Sequence, residues 1–393
     1  MNPRLLRIIT RLNTGGPVQH VTSLHESFRA SGWLCHLIYG KLDEAEGDSS
    51  SLLRDRGNSV YLPWLVRPVS AGRDLLAFLF VFVWLIRHPV DIVHTHTAKA
   101  GLIGRLAAFV YRWICLAGGR RAPLVFHTYH GHVFSGYFSK GMERMVKGVE
   151  RLLLRGTTQP IALTEGLAAE ISAHLGVESS RFAIIPLGLR LETFGGVERK
   201  DVYNRRFGRN FSTWVGWAGR LAPIKNPLRF LEIAAAMISS GAQDCGFVLV
   251  GDGPLKKDLT EAIVARGLED KVFLAGWAAS MPEAYSGMDL FFNTSDNEGT
   301  PVAVIEALAA GLAIAAADVG GTAECVPEGA VAWCFPPGEW HGRVDAWVDY
   351  IRQPRRQTQT LREFMIRSFS TERLREDLEK LYLAHLEKQT GEG

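Results

Sequence analysis

The stretch 289–318, DLFFNTSDNEGTPVAVIEALAAGLAIAAAD, holds two apolar runs with a helical segment between them. DLFFNTS and LAIAAAD are short and lack alternation, which is typical of strands buried on both faces. Between them, Thr300 is expected to be the N-cap of a helix, Pro301 its first helical residue and Gly311 its stop. A strand, a helix and a strand in this order predict a βαβ unit with parallel strands.

The same alternation extends over the whole chain, and helical stretches separate most of the strand candidates. The candidates in the first half are LRIIT, CHLIYG, SVYLPW, DIVHTHT, LVFHTYH, PIALT and FAIIPLG, and those in the second half are TWVGWAG, GFVLVG, KVFLAG, DLFFNTS, LAIAAAD and VAWCF. Repeated βαβ units predict an α/β fold with parallel, doubly wound sheets that carry helices on both faces.

A polar, glycine-containing stretch at 191–212 interrupts this pattern. It is expected to be the linker between a first domain, 1–190, and a second domain, 213–370. The terminal segment 371–393 has a strong helical pattern, with Ser370 or Thr371 as the N-cap, and is expected to pack back on the first domain. Two such domains predict a ligand cleft at the carboxyl ends of their strands.

The charge of the chain is unevenly divided. Among 393 residues, 47% are hydrophobic and 22% charged, as in soluble globular proteins, and the net charge of +3 is too small to indicate nucleic acid binding. Residues 1–190 hold 22 Lys and Arg against 13 Asp and Glu, whereas 191–393 hold 22 against 28. A basic first half beside an acidic second half suggests that the first half faces something anionic.

Five scattered cysteines without a C-x-x-C pair predict reduced thiols and a cytosolic protein, and no secretory signal pattern opens the sequence. The most apolar run, LLAFLFVFVWLI at 75–86, is shorter than the ~20 residues of a membrane span. A buried helix is the favoured interpretation. A helix lying in a membrane interface is the alternative, because Arg67, Arg73 and Arg87 flank the run.

Several common catalytic motifs are missing from the sequence. There is no G-x-x-x-x-G-K-[ST] phosphate loop, no G-x-G-x-x-G opening the first unit, no H-E-x-x-H zinc motif and no G-x-S-x-G nucleophile motif. A Walker-type ATPase and a dinucleotide dehydrogenase are therefore not indicated.

Two loops carry features suited to phosphate groups. In GWAGRLAPIKNP, Arg220 follows a strand and Lys225 precedes a helix that is expected to begin near Pro227, so both cations could hold neighbouring phosphates. A solvated pair of surface charges fits equally well. In RLNTGGPVQH, Gly15 and Gly16 would let the backbone approach an anion closely, although a tight strand-to-helix turn explains them too.

The helix after Thr300 adds two acids to these cations. The amides of Val302 and Ala303 lack intrahelical partners and, with the helix dipole, predict an anion site. Glu298 lies just outside that end and Glu306 lies within the helix, where both could accept hydrogen bonds from ligand hydroxyls. Dipole complementation and an ion pair are simpler roles for either acid alone. All four charges together favour a ligand with a phosphate end and a hydroxyl-rich end.

Histidines cluster at the ends of two strands of the first half. HTH contains His94 and His96, and HTYHGH contains His127, His130 and His132. Alternate positions on a strand share a face, so a metal site is conceivable. No acid or cysteine accompanies them, and a hydrogen-bonding or electrostatic role is favoured. No metal site is predicted.

On these motifs the chain resembles the family 4 glycosyltransferases, which are retaining enzymes of the GT-B fold. The resemblance spans nearly the whole length and rests on NTGGPVQHV, DIVHTHTAKAG, HTYHGHVFSGYF, GRLAPIKNP, LVGDGP, EGTPVAVIEALAAG and DVGGTAE. The pair Glu298 and Glu306, with seven residues between them, is its most specific element. It implies two Rossmann-like domains facing each other across a cleft.

The resemblance also implies roles for single residues. Arg220 and Lys225 would hold the diphosphate of a nucleotide sugar, and Glu298 would bind hydroxyls of the transferred sugar near its C3. His130 would lie close to that sugar. These four residues form the implied catalytic set.

The rest of the nucleotide sugar would be bound mainly by backbone groups. Gly16 and the amides near Val302 would complete the diphosphate cradle, Glu306 would bind the ribose, and the backbone near Gly276 and Trp277 would read the base. The implied donor-binding residues are Gly15, Gly16, Gly219, Gly276, Trp277, Gly299, Thr300, Pro301, Val302 and Glu306.

The implied reaction moves a sugar from a nucleotide diphosphate sugar, with UDP favoured, to a hydroxyl acceptor. The expected acceptor is a lipid-linked glycan in surface polysaccharide assembly. The expected location is the cytoplasm, with peripheral contact between the first domain and the anionic inner face of the cell membrane. No metal, other cofactor or nucleic acid is expected. A nucleotide-sugar 2-epimerase of the same fold and a non-catalytic nucleotide-sugar-binding subunit remain as alternatives.

Overall fold

The computed structural model describes residues 3–13, 15–43, 47, 49–50, 53, 57–131, 140–194 and 201–391. The chain divides into two compact units. The first consists of Met1–Arg190 together with Ser370–Gly393, and the second of Leu191–Phe369.

The first unit is built on a seven-stranded parallel sheet. Its strands are β1 (Arg4–Ile9), β2 (Leu34–Gly40), β3 (Ser59–Leu62), β4 (Ile92–His96), β5 (Leu124–Tyr129), β6 (Gln159–Ala162) and β7 (Ala183–Ile184), in the order β3-β2-β1-β4-β5-β6-β7. Its first five helices are α1 (Gly16–Ala30), α2 (Ala71–Arg87), α3 (Ala98–Ala117), α4 (Lys140–Gly156) and α5 (Glu165–Leu175).

The second unit is built on a six-stranded parallel sheet. Its strands are β8 (Thr213–Ala218), β9 (Cys245–Val250), β10 (Val272–Gly276), β11 (Leu290–Asn293), β12 (Ala313–Ala317) and β13 (Ala332–Phe335), in the order β10-β9-β8-β11-β12-β13. Its helices are α6 (Val202–Phe207), α7 (Pro227–Ser239), α8 (Lys256–Ala265), α9 (Met281–Ser286), α10 (Val302–Ala309), α11 (Val344–Arg352) and α12 (Gln359–Ser368). The prediction of two parallel α/β sheets is confirmed, and the quoted stretch is the unit β11-α10-β12, with Leu290 paired to Ala313.

The C-terminal helix α13 (Thr371–Thr390) belongs to the first unit. Along β1, alternate residues point to opposite faces of the sheet. Leu6 and Ile8 pack in one core cluster with α2 and α3, whereas Leu5 packs in another with α1 and Tyr382 of α13. The last helix therefore covers one face of the first sheet.

Residues 191–212, expected to be a linker, begin the second unit instead. Within this stretch α6 forms, and Tyr203 is buried against Trp214 of β8, with ring centroids 5.3 Å apart. The Tyr203 hydroxyl donates to the carbonyl of Ala284 over 2.9 Å. The polar composition of this stretch concealed buried aromatic residues, of which Tyr203 attaches α6 to the second unit. Residues 195–200 lie outside the described part of the chain.

The expectation that 75–86 is a buried helix is wrong. Only four residues of α2 are buried, namely Ala77, Val81, Trp84 and Leu85. Five large apolar side chains are exposed on it, namely Leu75, Leu76, Leu79, Val83 and Ile86. A 17-residue helix beside one sheet can bury only one stripe of its surface, so an apolar sequence leaves the other side apolar in water. This exposed side fits the alternative interpretation of a membrane-interface helix.

Among the described helices, α3 alone is long and apolar enough to cross a membrane by length and composition. Half of its most apolar window is buried inside the protein. A core helix of a soluble protein shows the same property, so this feature is weak evidence for a span.

Candidate active site

The carboxyl edge of the second sheet gathers the predicted cations and acids. The strand order reverses between β8 and β11, which are neighbours paired through Val215 and Leu290. Ligands of doubly wound sheets bind at such a switch point. The loop with Arg220 and Lys225 follows β8, and the loop with Glu298 follows β11, so the topology brings both to this edge.

Lys225 and Glu298 form an ion pair. The Lys225 ammonium lies 2.7 Å from each carboxylate oxygen of Glu298, at the end of the 3-10 turn Pro223–Lys225. Glu298 also accepts hydrogen bonds from the Ser295 hydroxyl at 2.7 Å and the Asn293 amide at 3.2 Å. Its side chain is only 7% exposed, whereas that of Lys225 is 33% exposed. The acid is therefore oriented from three sides while the cation stays accessible.

Hydrogen bonds join the two loops directly. The Thr294 hydroxyl donates to the carbonyl of Asn226 over 2.9 Å, and the amide of Asp296 donates to the carbonyl of Ile224 over 2.9 Å. Asn226 has a positive φ of 43° and its side chain accepts from the amide of Arg229, which caps α7. The prediction that this helix begins at Pro227 is confirmed.

A glycine pair fits against the backbone of the acidic loop. Gly320 has a φ of +56°, and a Cβ there would lie 1.7 Å from the carbonyl oxygen of Glu298. The next amide, that of Gly321, donates to the carbonyl of Gly299 over 3.0 Å. Only glycine permits both the left-handed conformation and this approach. The DVGG segment therefore fixes the position of Glu298.

A second glycine holds the cationic loop in the same way. At Gly251, with a φ of +135°, a Cβ would lie 1.9 Å from the carbonyl oxygen of Gly219. The amide of Gly219 donates to Val250, and that of Leu221 to Asp252, each over 3.0 Å. These contacts leave Arg220 exposed at the bend of a fixed loop.

The N-terminus of α10 differs from the prediction by one residue. Pro301, not Thr300, occupies the N-cap position, because its ψ of 88° lies outside the helical range. Val302 is the first helical residue. The Thr300 hydroxyl is buried and has no hydrogen-bond partner within the described ranges. As in the first turn of any α-helix, the amides of Val302 and Ala303 have no intrahelical carbonyl partner. They therefore retain the geometry of an anion site.

Glu306 lies on the buried side of α10 and is 8% exposed. The Tyr285 hydroxyl donates to its carboxylate over 3.1 Å. No ion pair to Glu306 occurs among the residues that the structure describes. Burial raises the pKa of Glu306 to about 7, and the hydrogen bond from Tyr285 partly opposes this rise. The acid can therefore gain or lose a proton near neutral pH.

Gly276 and Trp277 line a cavity of about 590 Å³ in the second unit. Gly276 ends β10 with a φ of +66°, and Trp277 is 60% exposed. Arg205, Arg206 and Glu283 supply the charged part of the wall. An exposed indole beside cations suits a flat, polar ring.

The first unit brings together the glycine loop and the histidines at its own switch point. The order of its sheet reverses between β1 and β4; Gly15 and Gly16 follow β1, while His130 follows β5, the next strand. Gly15 caps α1, and Pro17 lies in its first turn.

His130 belongs to a cluster of three histidine rings. Its Nε2 lies 3.1 Å from Nδ1 of His96, and its ring meets that of His20 edge-on with centroids 4.9 Å apart. Burial lowers the pKa of His130 to about 4 and holds the pKa of His20 and His96 well below the usual value. All three imidazoles are therefore neutral at physiological pH. His132 lies outside the described residues.

Sequence reasoning missed the residues that orient the predicted ones. Asn293 and Ser295 hold Glu298, Tyr285 holds Glu306, and His20 contacts His130. Ser295 stands three residues before Glu298, a spacing that could have indicated the contact. Asn293 is also near in sequence, five residues before Glu298. Tyr285 and His20 come from elements that only the fold brings close to their partners, so no local signal marks them.

Both halves of the chain match known protein families. Residues 14–193 match the family described as Glycosyltransferase Family 4, and residues 212–353 match Glycosyl transferases group 1. The chain is 32% identical over 279 residues to the UDP-Gal:alpha-D-GlcNAc-diphosphoundecaprenol alpha-1,3-galactosyltransferase of Escherichia coli, covering 70% of each chain. It is 27% identical over 270 residues to the 2-deoxystreptamine glucosyltransferase of Streptomyces kanamyceticus, covering 64% of this chain and 66% of that protein.

Solved structures show the same fold at lower identity. The Anabaena protein HepE in complex with UDP aligns with a TM-score of 0.77 and 18% identity, covering 97% of this chain and 100% of that one. Sucrose-phosphate synthase from Thermosynechococcus elongatus aligns with a TM-score of 0.72 and 18% identity, covering 98% and 99%.

Proposed function

Because the chain belongs to the family 4 glycosyltransferases, we propose that it transfers a sugar from a UDP-linked donor, with retention of anomeric configuration, to a hydroxyl of a lipid-linked glycan. That it is a glycosyltransferase of the GT-B fold follows from the family and from the two parallel-sheet units. The E. coli relative is named for UDP-Gal and for a diphosphoundecaprenol-linked GlcNAc acceptor, which supports both the nucleotide and the acceptor class of the proposal.

The observation that carries the proposal is the ion pair of Lys225 and Glu298 at the switch point. A cation and an acid held 2.7 Å apart, beside the exposed Arg220 and the first amides of α10, form a ready site for a diphosphate with a sugar attached. Cations and helix amides bind phosphate oxygens strongly. On binding, Lys225 must exchange the Glu298 carboxylate for a phosphate oxygen, while the amide of Val302 and the exposed Arg220 already lie at this edge of the sheet.

In the proposed reaction the bond between the sugar C1 and the diphosphate oxygen breaks through an oxocarbenium-like state while the diphosphate gains negative charge. The acceptor hydroxyl oxygen bonds to C1, and its proton passes to the leaving diphosphate. Lys225 turns from Glu298 to a phosphate oxygen and, with Arg220 and the amide of Val302, stabilises that charge. Glu298 then accepts hydrogen bonds from the hydroxyls of the transferred sugar. Because these groups supply the positive charge, we propose that the transfer needs no metal.

The remaining proposed contacts to the donor come mainly from α10 and from the cavity of the second unit. Glu306 accepts hydrogen bonds from the ribose hydroxyls in its ionised form, with Tyr285 holding the carboxylate. The base lies in the cavity at Gly276 and stacks on the exposed Trp277. For the first unit, the family resemblance assigns His130 to the transferred sugar and Gly16 to the diphosphate, and both assignments belong to the proposal.

The acceptor proposal rests on an apolar surface of the first unit, which we call the α2–α4 face. Helix α3 packs against both α2 and α4, and each of the three exposes large apolar side chains. Besides the five on α2, they are Leu106, Phe109, Trp113, Ile114 and Leu116 on α3, and Met142, Met145, Val149 and Leu152 on α4.

Basic residues accompany the apolar ones on one helix of this surface. Helix α4 carries Lys140, Arg144, Lys147, Arg151 and Arg155. Apolar side chains beside cations bind the interface of an anionic membrane. We propose that this face rests on the inner, cytoplasmic side of the cell membrane, where the enzyme reaches lipid-linked acceptors of surface polysaccharide assembly.

The test is a transfer assay with the purified chain, GlcNAc-diphosphoundecaprenol and a panel of UDP- and GDP-sugars. The proposal predicts a disaccharide product from one UDP-sugar, with an α-linkage by NMR from an α-linked donor. Donor converted to its 2-epimer without acceptor would identify an epimerase instead. Binding without turnover of any donor would favour a non-catalytic subunit.

A further inference from the structure

Three elements of the first unit bring histidines together at one point. His20 comes from the second turn of α1, His96 ends β4, and His130 follows β5. Each can place one ring nitrogen within 4.8 Å of a ring nitrogen of the other two. The convergence comes from three separate chain segments, so neighbouring positions in the sequence do not explain it.

Three ring nitrogens of this cluster have no hydrogen-bond partner among the described residues. Neither nitrogen of His20 has a hydrogen-bond partner in the described part of the chain, although the residue is 1% exposed. Nε2 of His96, which is fully buried, also has none there. The single polar contact within the cluster joins Nδ1 of His96 to Nε2 of His130. Buried imidazoles in a packed core normally satisfy these groups with protein or water.

We propose that His20, His96 and His130 form a binding site for a divalent transition metal ion of the Zn²⁺ class, with His130 as its accessible ligand. Imidazole nitrogens suit zinc, copper and nickel. Three of them leave a fourth position open, as in zinc sites that hold three histidines. His130 is partly exposed whereas the other two are buried, so an ion would enter past His130.

The distances are close to those that zinc requires. Zinc–nitrogen bonds of about 2.0–2.1 Å in a tetrahedral site place ligand nitrogens about 3.4 Å apart. The 3.1 Å between His96 and His130 is already near this value. The widest separation, 4.8 Å, closes by rotation of the His20 ring, because no hydrogen bond to described residues holds that ring.

Metal binding requires no net release of protons, but nearby positive charge opposes it. The neutral rings need lose no net proton, since the hydrogen shared by His96 and His130 moves to the far nitrogen of one ring. Arg7 and Arg373 carry positive charge near His20 and oppose a cation. No carboxylate joins the cluster among the residues that the structure describes, so binding is expected to be reversible and weaker than in a structural zinc site.

An occupied site would hold His130 away from the sugar donor. This consequence rests on the proposed function: zinc would then inhibit transfer, and the inhibition would disappear on chelation. Metal binding itself needs no catalytic activity, so the two claims are measured separately.

The experiment titrates the full chain with Co²⁺ and Zn²⁺. The expected results are the visible absorption of tetrahedral Co²⁺, displacement of Co²⁺ by Zn²⁺ at one ion per chain, and a rise in melting temperature with Zn²⁺. His20→Asn should weaken Zn²⁺ binding by more than the ~10–100-fold that loss of an outer-shell partner causes. His341→Asn, at an exposed histidine of the second unit, is the matched control and should bind as the parent does.

His96→Asn provides a second ligand variant in case His20→Asn fails to fold, which circular dichroism of each variant shows. The proposal is overturned if the parent chain shows no tetrahedral Co²⁺ spectrum. It is also overturned if the folded ligand variants bind Zn²⁺ as tightly as His341→Asn. Tight binding without inhibition of transfer would leave the metal site standing and refute the role of His130 in the reaction.

Discussion

At the scale of single residues, Glu298 and Glu306 differ in their contacts and in the effect of burial. Glu298 faces Lys225 at 2.7 Å and accepts two further hydrogen bonds. Glu306 faces a tyrosine hydroxyl in a buried place, and burial favours its neutral form. Two carboxylates with seven residues between them therefore suit two different tasks in the proposed site.

Glu298→Gln separates sugar recognition from nucleotide binding. Hydrogen bonds to a charged group contribute about 1.5–3 kcal/mol, so transfer should fall by about 10- to 100-fold. Binding of free UDP should stay within about threefold, because Lys225 keeps its charge. Steady-state transfer and calorimetric titration with UDP measure the two effects. Glu328→Gln, at an exposed acid, is the control, and equal loss of both quantities in Glu298→Gln would refute the assignment.

Lys225→Ala should weaken the binding of both UDP and UDP-sugar, by about tenfold or more, because a charge-assisted hydrogen bond to the diphosphate is lost. The variant should also melt at a lower temperature, since Glu298 stays buried without its cation. Calorimetric titration and thermal unfolding check both. Lys257→Ala changes a lysine that is 83% exposed and should leave nucleotide affinity unchanged. Normal UDP affinity in Lys225→Ala would contradict the proposed diphosphate site.

Glu306 should make folding stability depend on pH. Its pKa of about 7 in the folded chain lies above the ordinary value of 4.5, so the folded state binds the extra proton between these pH values. The contribution of Glu306 to the free energy of unfolding is fully present below pH 4.5 and is lost as pH rises through 7. The loss is on the order of 3 kcal/mol. Glu306→Gln lacks this loss. Unfolding free energies of the two chains, measured from pH 4.5 to 8, should diverge by that amount, and parallel curves would show that Glu306 does not titrate near 7.

At the scale of elements, the loops of the site are positioned by close contacts with glycines of neighbouring segments. The strands and helices follow from apolar periodicity, and all thirteen predicted strands occur in the described structure. The placement of the loops could not be predicted, because the close approach of Gly320 to Glu298 joins residues 22 positions apart. Nor did the apolar run 75–86 indicate which side of α2 is exposed, since a uniformly apolar helix carries no amphipathic signal.

Gly320→Ala tests whether this contact positions Glu298. The new Cβ would lie 1.7 Å from the Glu298 carbonyl oxygen, so the loop must move and transfer should fall by about tenfold or more. Gly329→Ala is a matched control, because Gly329 also has a positive φ, 81°, with no heavy atom within 4 Å of the added Cβ. The control should lose only the ~1–2 kcal/mol of the left-handed conformation. Thermal unfolding and transfer rates distinguish them, and equal behaviour of the two variants would refute the positioning role.

At the scale of the whole molecule, charge and apolar exposure are divided between the two units. The first 190 residues carry the excess of Lys and Arg, and the structure places the α2–α4 face there. The acidic remainder includes most of the second unit, which holds the proposed diphosphate-binding loops and the cavity at Gly276 and Trp277. This division assigns membrane contact to one unit and donor binding to the other in the proposed function.

The α2–α4 face should bind vesicles that contain anionic lipid, and more tightly at low salt than at high salt. The double variant Leu79→Glu, Val83→Glu places charge on two exposed positions of α2 and should reduce co-sedimentation about tenfold or more without lowering the melting temperature. Phe364→Glu, at an exposed position of the second unit, is the control. Absence of vesicle binding by the parent chain at low salt would refute the membrane proposal.

The most direct measurement is a crystal structure of the chain with a bound UDP-sugar. We predict that the diphosphate oxygens lie about 3 Å from Arg220, Lys225 and the amide of Val302, with the sugar hydroxyls on Glu298 and the ribose on Glu306. A diphosphate bound away from residues 220–225 and 301–303 would contradict it.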